Sequence, residues 1–454
     1  MPDNYVLLET IEITQTTSSV TFDNIPQTGY TDLVLKASAR STRAGLDEDG
    51  FTIRLNASTS GYTYKTIIGT GTAVTNLNTS YEQTWAGEVN AGSSTANVFN
   101  NLEAYIPNYA GSSAKSYMVD AVQENNGTAG YISINSVLQS STSPITSITC
   151  GAANGNLLAG STFSLYGVAK LGTTPAVSPK ATGGNIVAND GTYWYHAFLT
   201  SGLFVPQTGL TCDVLTVAGG GGGGATRGGG GGAGGAFAAT TFVSTPQGVI
   251  VGAGGGGGAS TAAGGGFNGT NGGNSKFGSL TAAVGGGFGC GDGGPYTSGS
   301  GGSSGGTVLW GGTSGTAVSG QGFVGGRNTV GYLVGGGAGG GGGAGAVGAN
   351  TTNSNGGNGG AGLNTWSSWH AATNTGLNGF IAGGGGGATS SNSGTPGTGG
   401  SGGGGSGGLI AVGASGIPNT GGGGGGGGRH DASGTPYSGG NGGSGLVIVR
   451  YLIG

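Results

Sequence analysis

Charge is scarce in this sequence. Of its 454 residues, 13 are Lys or Arg and 17 are Asp or Glu, for a net charge of −4. A chain that grips nucleic acid carries basic stripes to neutralise phosphates. None occurs here, so no nucleic-acid partner is expected. The three cysteines, Cys150, Cys212 and Cys290, are odd in number, far apart and outside any C-x-x-C pair. That spacing supports neither a disulfide framework nor a zinc site. The three histidines, His196, His370 and His430, are scattered, and H-E-x-x-H, G-x-S-x-G and G-K-[ST] are all missing. Metalloprotease, esterase and phosphate-loop chemistry therefore have no motif to stand on. No apolar run approaches the ~18–20 residues of a membrane helix, so no membrane insertion is expected. The opening "MPDNYVLLET" has an early acid and no long apolar core, unlike a secretory signal. No stretch shows a convincing apolar stripe at the 3.6-residue period of a helix.

What is present falls into two materials. Of the 117 glycines, 21 lie in residues 1–218 and 96 in residues 219–454. The first part alternates apolar and polar residues in short runs. "DGFTIRLNAS" puts Phe51, Ile53 and Leu55 on one face and Thr52, Arg54 and Asn56 on the other. "SYMVDAVQ" repeats the pattern with Tyr117, Val119 and Ala121, and "VLLETIEITQTTSSVTFDNI" does so around Leu8, Ile11, Ile13, Val20 and Phe22. Period-two alternation rich in Val, Ile, Thr, Tyr and Phe, broken by Gly and Asn clusters, is the signature of strands. The expected class is all-β, opening with a jelly-roll-like antiparallel β-sandwich over residues 1–170. Asp47, Glu48 and Asp49 could form a cation loop but lack the D-x-D-x-D-G spacing. A solvated loop with ion pairs is the plainer reading, and no metal site is assigned.

Residues 171–185, "LGTTPAVSPKATGGN", hold two prolines and few apolar side chains and read as a linker. Residues 186–454 form the second domain, with strands expected at 193–218, 236–252 and 445–453. In "YWYH", Tyr193 and Tyr195 share one face and Trp194 and His196 the other. His196 has no partner nearby in sequence and reads as cross-strand packing.

The glycine runs invite simpler readings. A flexible linker would lack large apolar residues, yet these runs are punctuated by Phe237, Phe267, Trp310, Trp366 and Trp369 and end in the strand "GLVIVRY". Collagen needs glycine at every third position with abundant proline. The unbroken run Gly421–Gly428 and a total of 12 prolines exclude it. The same run departs from the regular G-x-x triplets of an ice-binding glycine protein. A bundle of polyproline-II-like glycine helices remains. Such a helix rises ~3.1 Å per residue with three residues per turn and no internal hydrogen bonds. Its N–H and C=O groups point outward and must pair with neighbouring helices, and a Cβ would block that approach. The runs Gly219–Gly224, Gly228–Gly232, Gly254–Gly258, Gly339–Gly343 and Gly383–Gly387 suit this, anchored by the flanking strands. In "GGGGGGATRGGGGG", "ATR" is expected to turn the chain and expose Arg227.

Both parts resemble known families. "SSVTFDNIPQTGYTDLVLKASARSTRAG", "DGFTIRLN" and the later "FSLYGV" resemble a domain recurrent in virion structural proteins of tailed phages, which implies a particle-bound sandwich. "LTVAGGGGGG" leading to a terminal "GGSGLVIVRY" resembles the glycine-rich domain of phage tail-fibre proteins. That resemblance implies a polyglycine-II bundle whose loops touch the host surface, and a homotrimer. The expectation is a non-enzymatic tail-fibre or tail-tip protein in the virion, needing no cofactor. Its partners would be other tail or capsid proteins and a host surface glycan or outer-membrane protein. A capsid decoration or head-fibre protein is the alternative. Aromatic residues with Arg are typical contact anchors. They give three candidate clusters: Trp366, Trp369 and His370; Arg429, His430, Asp431 and Tyr437; and Tyr296 with Trp310. Beyond Gly219 the only acids are Asp292 and Asp431, so the paired carboxylates of a glycan-cleaving spike have no obvious source there.

Overall fold

The computed structural model describes residues 5–70, 73–79, 84–123, 130–170, 178–261, 266–308, 312–329, 336–352, 354–389, 394–430 and 433–453. The chain divides into two compact units. One comprises Met1–Pro179, Asn185–Trp194 and Leu452–Gly454; the other comprises Lys180–Gly184 and Tyr195–Tyr451.

The first unit is built from β1 (Tyr5–Glu12), β2 (Ser19–Phe22), β3 (Tyr30–Ser38), β4 (Glu48–Leu55), β5 (Tyr62–Gly69), β6 (Val74–Thr79), β7 (Trp85–Asn90), β8 (Asn101–Ile106), β9 (Lys115–Gln123), β10 (Tyr131–Gln139), β11 (Ile148–Ala152) and β12 (Thr162–Ala169). After β13 (Ala181–Thr182), which belongs to the second unit, β14 (Ile186–Asn189) returns to the first and pairs with β1 at Thr10↔Val187 and Ile11↔Ile186. The strands form two antiparallel sheets, in the orders β14-β1-β12-β3-β8-β9-β10-β5-β6 and β2-β11-β4-β7. Leu33, Leu35, Phe51, Ile53, Val119, Ile148, Phe163 and Leu165 fill one core between them. The alternation places them there: along β9 Tyr117, Val119 and Ala121 are buried while Ser116, Met118 and Asp120 face outward. Leu8 and Ile11 break the period of two. A β-bulge between Leu7 and Glu9 shifts the register, and Leu8 and Glu9 are both buried as a result.

The second unit adds β15 (Tyr193–Phe198, from Tyr195 onward), β16 (Gly202–Pro206), β17 (Leu210–Val217), β18 (Ala236–Val243), β19 (Gln247–Ile250), β20 (Lys276–Phe277), α1 (Ser367–Thr373), β21 (Arg429–His430), β22 (Thr435–Pro436) and β23 (Leu446–Leu452, to Tyr451). β18-β17-β23-β15 form one sheet and β13-β16-β19-β20 another. His196, Phe204, Phe277 and Tyr451 pack as an aromatic cluster with ring centroids 5.2–6.3 Å apart. The class is all-β apart from α1, which the search for a 3.6-residue stripe missed. Seven residues, "SSWHAAT", are too few to display a periodic face, and Asn374 in the left-handed region (φ 47°) ends the helix.

The glycine runs leave this sheet and return to it. Gly219–Gly224 follows β17, the chain turns at Ala225–Arg227, and Gly228–Gly235 leads back into β18. Every peptide group of Gly219–Gly224 is paired, and partners repeat every third residue. Gly219 and Gly222 donate to Gly273 and Thr270; Gly220 and Gly223 donate to Gly443 and Gly440; Gly221 and Gly224 donate to Gly232 and Gly229, all at 2.9–3.0 Å. Their carbonyls accept in the same rhythm: Gly219 and Gly222 from Gly286 and Gly289, Gly220 and Gly223 from Gly255 and Gly258, Gly221 and Gly224 from Gly424 and Gly427. Threefold symmetry about the axis gives three donor rows and three acceptor rows, and hence six surrounding helices. A Cβ at any of these six glycines would fall well under 3.0 Å from a neighbouring carbonyl. That steric limit makes the central runs glycine throughout.

Peripheral helices obey a weaker rule. In "GFNGTNGGNS" only every third position must face inward, and Gly266, Gly269 and Gly272 occupy that row. The G-x-x triplets that the longest runs do not keep therefore appear at the periphery. The outward asparagines solve the edge problem that a missing neighbour creates. Asn268, Asn271 and Asn274 accept through Oδ1 from the N–H groups of Gly291, Phe288 and Gly285 at 2.7–2.9 Å. Asn355 and Asn358 do the same for Thr395 and Thr398. Side chains at three-residue spacing thus replace an absent helix as hydrogen-bond partner.

Candidate functional site

The runs fix where each interruption lies. Runs leaving the sheet end at the far end of the bundle, so the residues that follow them gather there. Arg227 follows the first run, Asp292 follows Gly291 and Arg429 follows Gly428. Backbone bonds tie these segments together: Thr226 N–H to the Tyr437 carbonyl (2.9 Å), Asp292 N–H to the Ala225 carbonyl (3.3 Å) and Gly228 N–H to the Gly427 carbonyl (2.9 Å).

Asp292 is the hub. Its Oδ2 lies 3.3 Å from Arg227 Nη1 and 3.9 Å from Arg429 Nη1. The Asp292 side chain is 9% exposed and those of Arg227 and Arg429 are 13% and 22%. Arg227, expected on the surface, is therefore largely covered. Thr226 and Arg227 both adopt left-handed backbone angles (φ 54° and 58°), which folds the arginine back over the turn toward Asp292. Burial raises the Asp292 carboxyl above the ordinary range, and the two guanidinium groups oppose that shift. Arg429 Nε is buried without a hydrogen-bond partner among the described residues. Tyr437 and His430 are half-buried beside this triad in sequence, with His430 Nδ1 accepting from Ser433 N–H at 3.1 Å. Tyr296, on the loop after Asp292, is 42% exposed. Asp431 and Trp310 lie outside the described residues.

The other candidate cluster sits at the sheet end. Trp369 and His370 are 5% and 2% exposed. Trp369 meets Tyr195 edge-on at 6.4 Å and carries the Arg450 guanidinium over its ring at 4.2 Å. Arg450 is itself held by Asp213 through two bonds of 3.0 and 3.1 Å. The indole thus clamps α1 onto the sheet, gaining both apolar burial and a cation–π contact. Among the described residues His370 bonds only through Nδ1, with Thr375 Oγ1 at 2.9 Å, and burial lowers it to about 4. Only Trp366, half-buried at the start of α1, keeps part of its surface. Trp369 and His370, expected as surface contacts, are interior residues of this chain. An indole among residues with tiny side chains looks like an exposed anchor in sequence, but here it is the filler those small residues leave room for.

Other titratable groups are structural. His196 bridges the Gly183 carbonyl (2.6 Å) and Tyr451 hydroxyl (3.0 Å), and burial lowers it to about 4. The three cysteines are buried thiols, and burial pushes Cys212 and Cys290 up to about 12. Around Asp47, the Glu48 carboxyl is pushed up to about 7, chiefly by its hydrogen bond with Asp47 and then by burial. Asp49 turns inward to Arg43 (3.7 Å) and Asn154 (3.0 Å). Among the described residues no group of three or more His, Cys, Asp or Glu is placed to hold a metal ion, and no helix is long and apolar enough to cross a membrane.

A family model described as a glycine-rich domain matches residues 199–452, more than half of the chain. The chain belongs to the glycine-rich domain family. The matched segment covers both bracketing strands, the interior runs and the Arg227–Asp292–Arg429 triad. No curated protein and no solved structure matches the chain. Sequence reading named Arg429, Tyr437 and Tyr296 but not Asp292 as a site residue. The available signal was positional: charged residues follow runs that leave the sheet, and alternating run direction brings them to one end.

Proposed function

We propose that this protein is a non-enzymatic tail-fibre or tail-tip component of a tailed phage, whose glycine-rich domain holds a host-contacting surface at the far end of its bundle. The observation that carries this reading is the division of labour within the bundle. Its central runs are bonded peptide to peptide with no room for side chains, whereas its far end collects Arg227, Asp292, Tyr296, Arg429, His430 and Tyr437. A shaft whose central peptide groups are all paired holds loops rigidly, and a rigid support lowers the ordering cost of binding. The loops can then vary while the shaft stays constant. On this reading the β-sandwich attaches the chain to other virion proteins and assembles it as a homotrimer, and the partner at the far end is a glycan or outer-membrane protein.

The test is co-sedimentation of the purified full chain with envelope preparations from a panel of Gram-negative bacteria, with immunogold labelling of particles that carry the chain. Retention by a subset of envelopes and gold at the tail tip are expected. Absence of retention across the panel would overturn the adhesin reading. Gold on the capsid lattice would move the chain to a head fibre or decoration protein, and release of oligosaccharide from the envelopes would make it an enzyme.

A further inference from the structure

Strand β10 reverses the usual polarity of a sandwich strand. Ser133, Asn135 and Gln139 point into the sandwich and are buried, whereas Ile132, Ile134 and Leu138 point outward and are exposed. We infer that the outer face of β9, β10, β5 and β6 is the surface through which copies of this chain associate. The inference rests on the self-association in the reading above and gives it an interface.

Three observations lead to it. The first is register. Asn135 is fully buried; its Nδ2 donates to the Val119 carbonyl at 3.4 Å and to Ser133 Oγ at 3.3 Å, and its Oδ1 accepts from Thr66 Oγ1 at 2.7 Å. Gln139 Oε1 accepts from the Ser141 N–H at 2.9 Å. A one-residue slip would turn the isoleucines inward, but it would also carry these polar groups out of their bonds. The fold itself therefore holds the apolar side chains outward. The second observation is continuity. Val122, Ile132 and, across Gly69, Val74 lie in one row over the strands. Ile134 and Ile67 form the next row, and Met118 and Tyr105 lie in the third, with Asp120, Ser136 and Lys65 among them. A Cβ on Gly69 would lie 3.0 Å from Ile132 Cγ2, so the glycine leaves Ile132 room to lie across the sheet. The third observation is area. With Leu138, these apolar side chains are 39–76% exposed. Together they present about 800 Å², the share of one partner in a standard protein interface and above the ~300–600 Å² of the largest patch on a typical monomer. The outer face of the other sheet instead runs Thr21, Thr149 and Arg54 across its strands.

The occupant is a second copy of this chain. Every copy brings the same apolar face, so one contact covers two such faces at once. Rows of branched side chains can interdigitate with the same rows of another copy, as the inner faces of a sandwich do at ~10 Å separation. Around a three-fold axis, each copy turns this face inward and meets the same face of both neighbours.

The experiment is sedimentation velocity of the purified full chain over a range of concentrations, beside the variants Ile134→Glu, Ile134→Thr and Arg54→Glu. The wild type should sediment as a trimer at ~10 μM. Ile134→Glu sets a charge in the middle of the face and should weaken association at least ten-fold. Ile134→Thr, which keeps the β-branch, should weaken it less, and Arg54→Glu, on the outer face of the other sheet, should leave it unchanged. Near-ultraviolet circular dichroism checks that each variant is folded, and Ile134→Thr keeps the comparison open should Ile134→Glu disturb the sheet. A monomeric wild type would overturn the inference, as would association indifferent to both Ile134 variants or weakened equally by Arg54→Glu. A monomer that floats with phosphatidylcholine vesicles would give the face to lipid and overturn it too. A dimer broken by Ile134→Glu would support the face and overturn only the trimer. A monomeric wild type that bacterial envelopes still retain would sink this inference alone, whereas an oligomer that no envelope retains would sink only the host-contact reading.

Discussion

Gly222→Ala should be among the most damaging single-methyl changes this protein can suffer, and Gly256→Ala, at a neighbouring position in space, should be harmless. Gly222 is buried at the centre of six helices, and a Cβ there would meet the carbonyl of Gly256 and lie 2.8 Å from the Gly257 nitrogen. Ordinary carbon–oxygen contact needs roughly 3.3 Å or more, so the helix at 254–258 must move by about 1 Å. Its bonds Gly255→Gly220 and Gly258→Gly223, both 2.8 Å, cannot survive such a shift without loss. Two to three buried peptide groups left unpaired cost about 1–3 kcal/mol each, giving about 2–9 kcal/mol in total. The same alanine reduces unfolded-state freedom by only about 0.4–1 kcal/mol, too little to compensate. At Gly256 the added Cβ finds only Thr270 Oγ1, at 3.5 Å, and the position is exposed. There the unfolded-state term stands alone, so Gly256→Ala should be neutral or stabilising by up to about 1 kcal/mol. Urea denaturation followed by near-ultraviolet circular dichroism measures both variants. If the two substitutions shift the midpoint by the same amount, or if Gly222→Ala stays within about 1 kcal/mol of wild type, steric exclusion of Cβ is not what dictates glycine in the shaft.

Asn358→Ala removes the acceptor for Thr398 N–H at an exposed edge, where water can replace it, so a loss of about 0.5–1.5 kcal/mol and faster amide exchange confined to Thr398 and its neighbours are expected. Trp369→Ala should destabilise the glycine-rich domain by about 3–5 kcal/mol, read as a lowered melting temperature, because α1 loses its seat between Tyr195 and Arg450; an unchanged melting temperature would show that the helix is not anchored there. His196 and His370 are both lowered from 6.5 to about 4 by burial. A group lowered in the folded state adds stability that is full above 6.5 and is lost as pH falls through about 4, so the domain should weaken over that window and His196→Gln should flatten the slope. Glu9 has the opposite sign: burial, with help from Asp23, raises it from 4.5 to about 8. Its contribution is complete below 4.5 and disappears as pH rises through about 8, and Glu9→Gln should remove that part of the pH dependence of sandwich unfolding.

Much of the architecture was legible before any coordinate. Phe51, Ile53 and Leu55 on β4 and Tyr117, Val119 and Ala121 on β9 declare their buried faces by alternation alone, because side chains on a strand alternate with a period of two. The bulge at Leu7–Glu9 was not legible. One extra residue changes which face follows, and only the partner strand β12 reveals it. The placement of the candidate residues was half legible. Arg429, His430, Tyr437 and Tyr296 lie at the far end of the bundle, as a residue between two runs should, but Trp369 and His370 fall inside. No local pattern distinguishes an indole that fills a gap above a sheet from one that faces solvent.

The sequence by itself determined that peptide groups would do the bonding within the glycine runs of residues 219–445. Runs of glycine leave nothing else to pair, and apolar strands at both ends, Leu210–Val217 and Leu446–Leu452, give those runs a common origin. Tertiary structure decided the rest. It chose which helices are central and admit no Cβ, and which are peripheral and admit asparagine at every third place. It brought Arg227, Asp292 and Arg429 together across 202 positions of sequence. The reason is that a polyproline-II helix forms no hydrogen bond within itself. Each run is unstable alone and acquires its neighbours, its direction and its permitted residues only from the lattice around it.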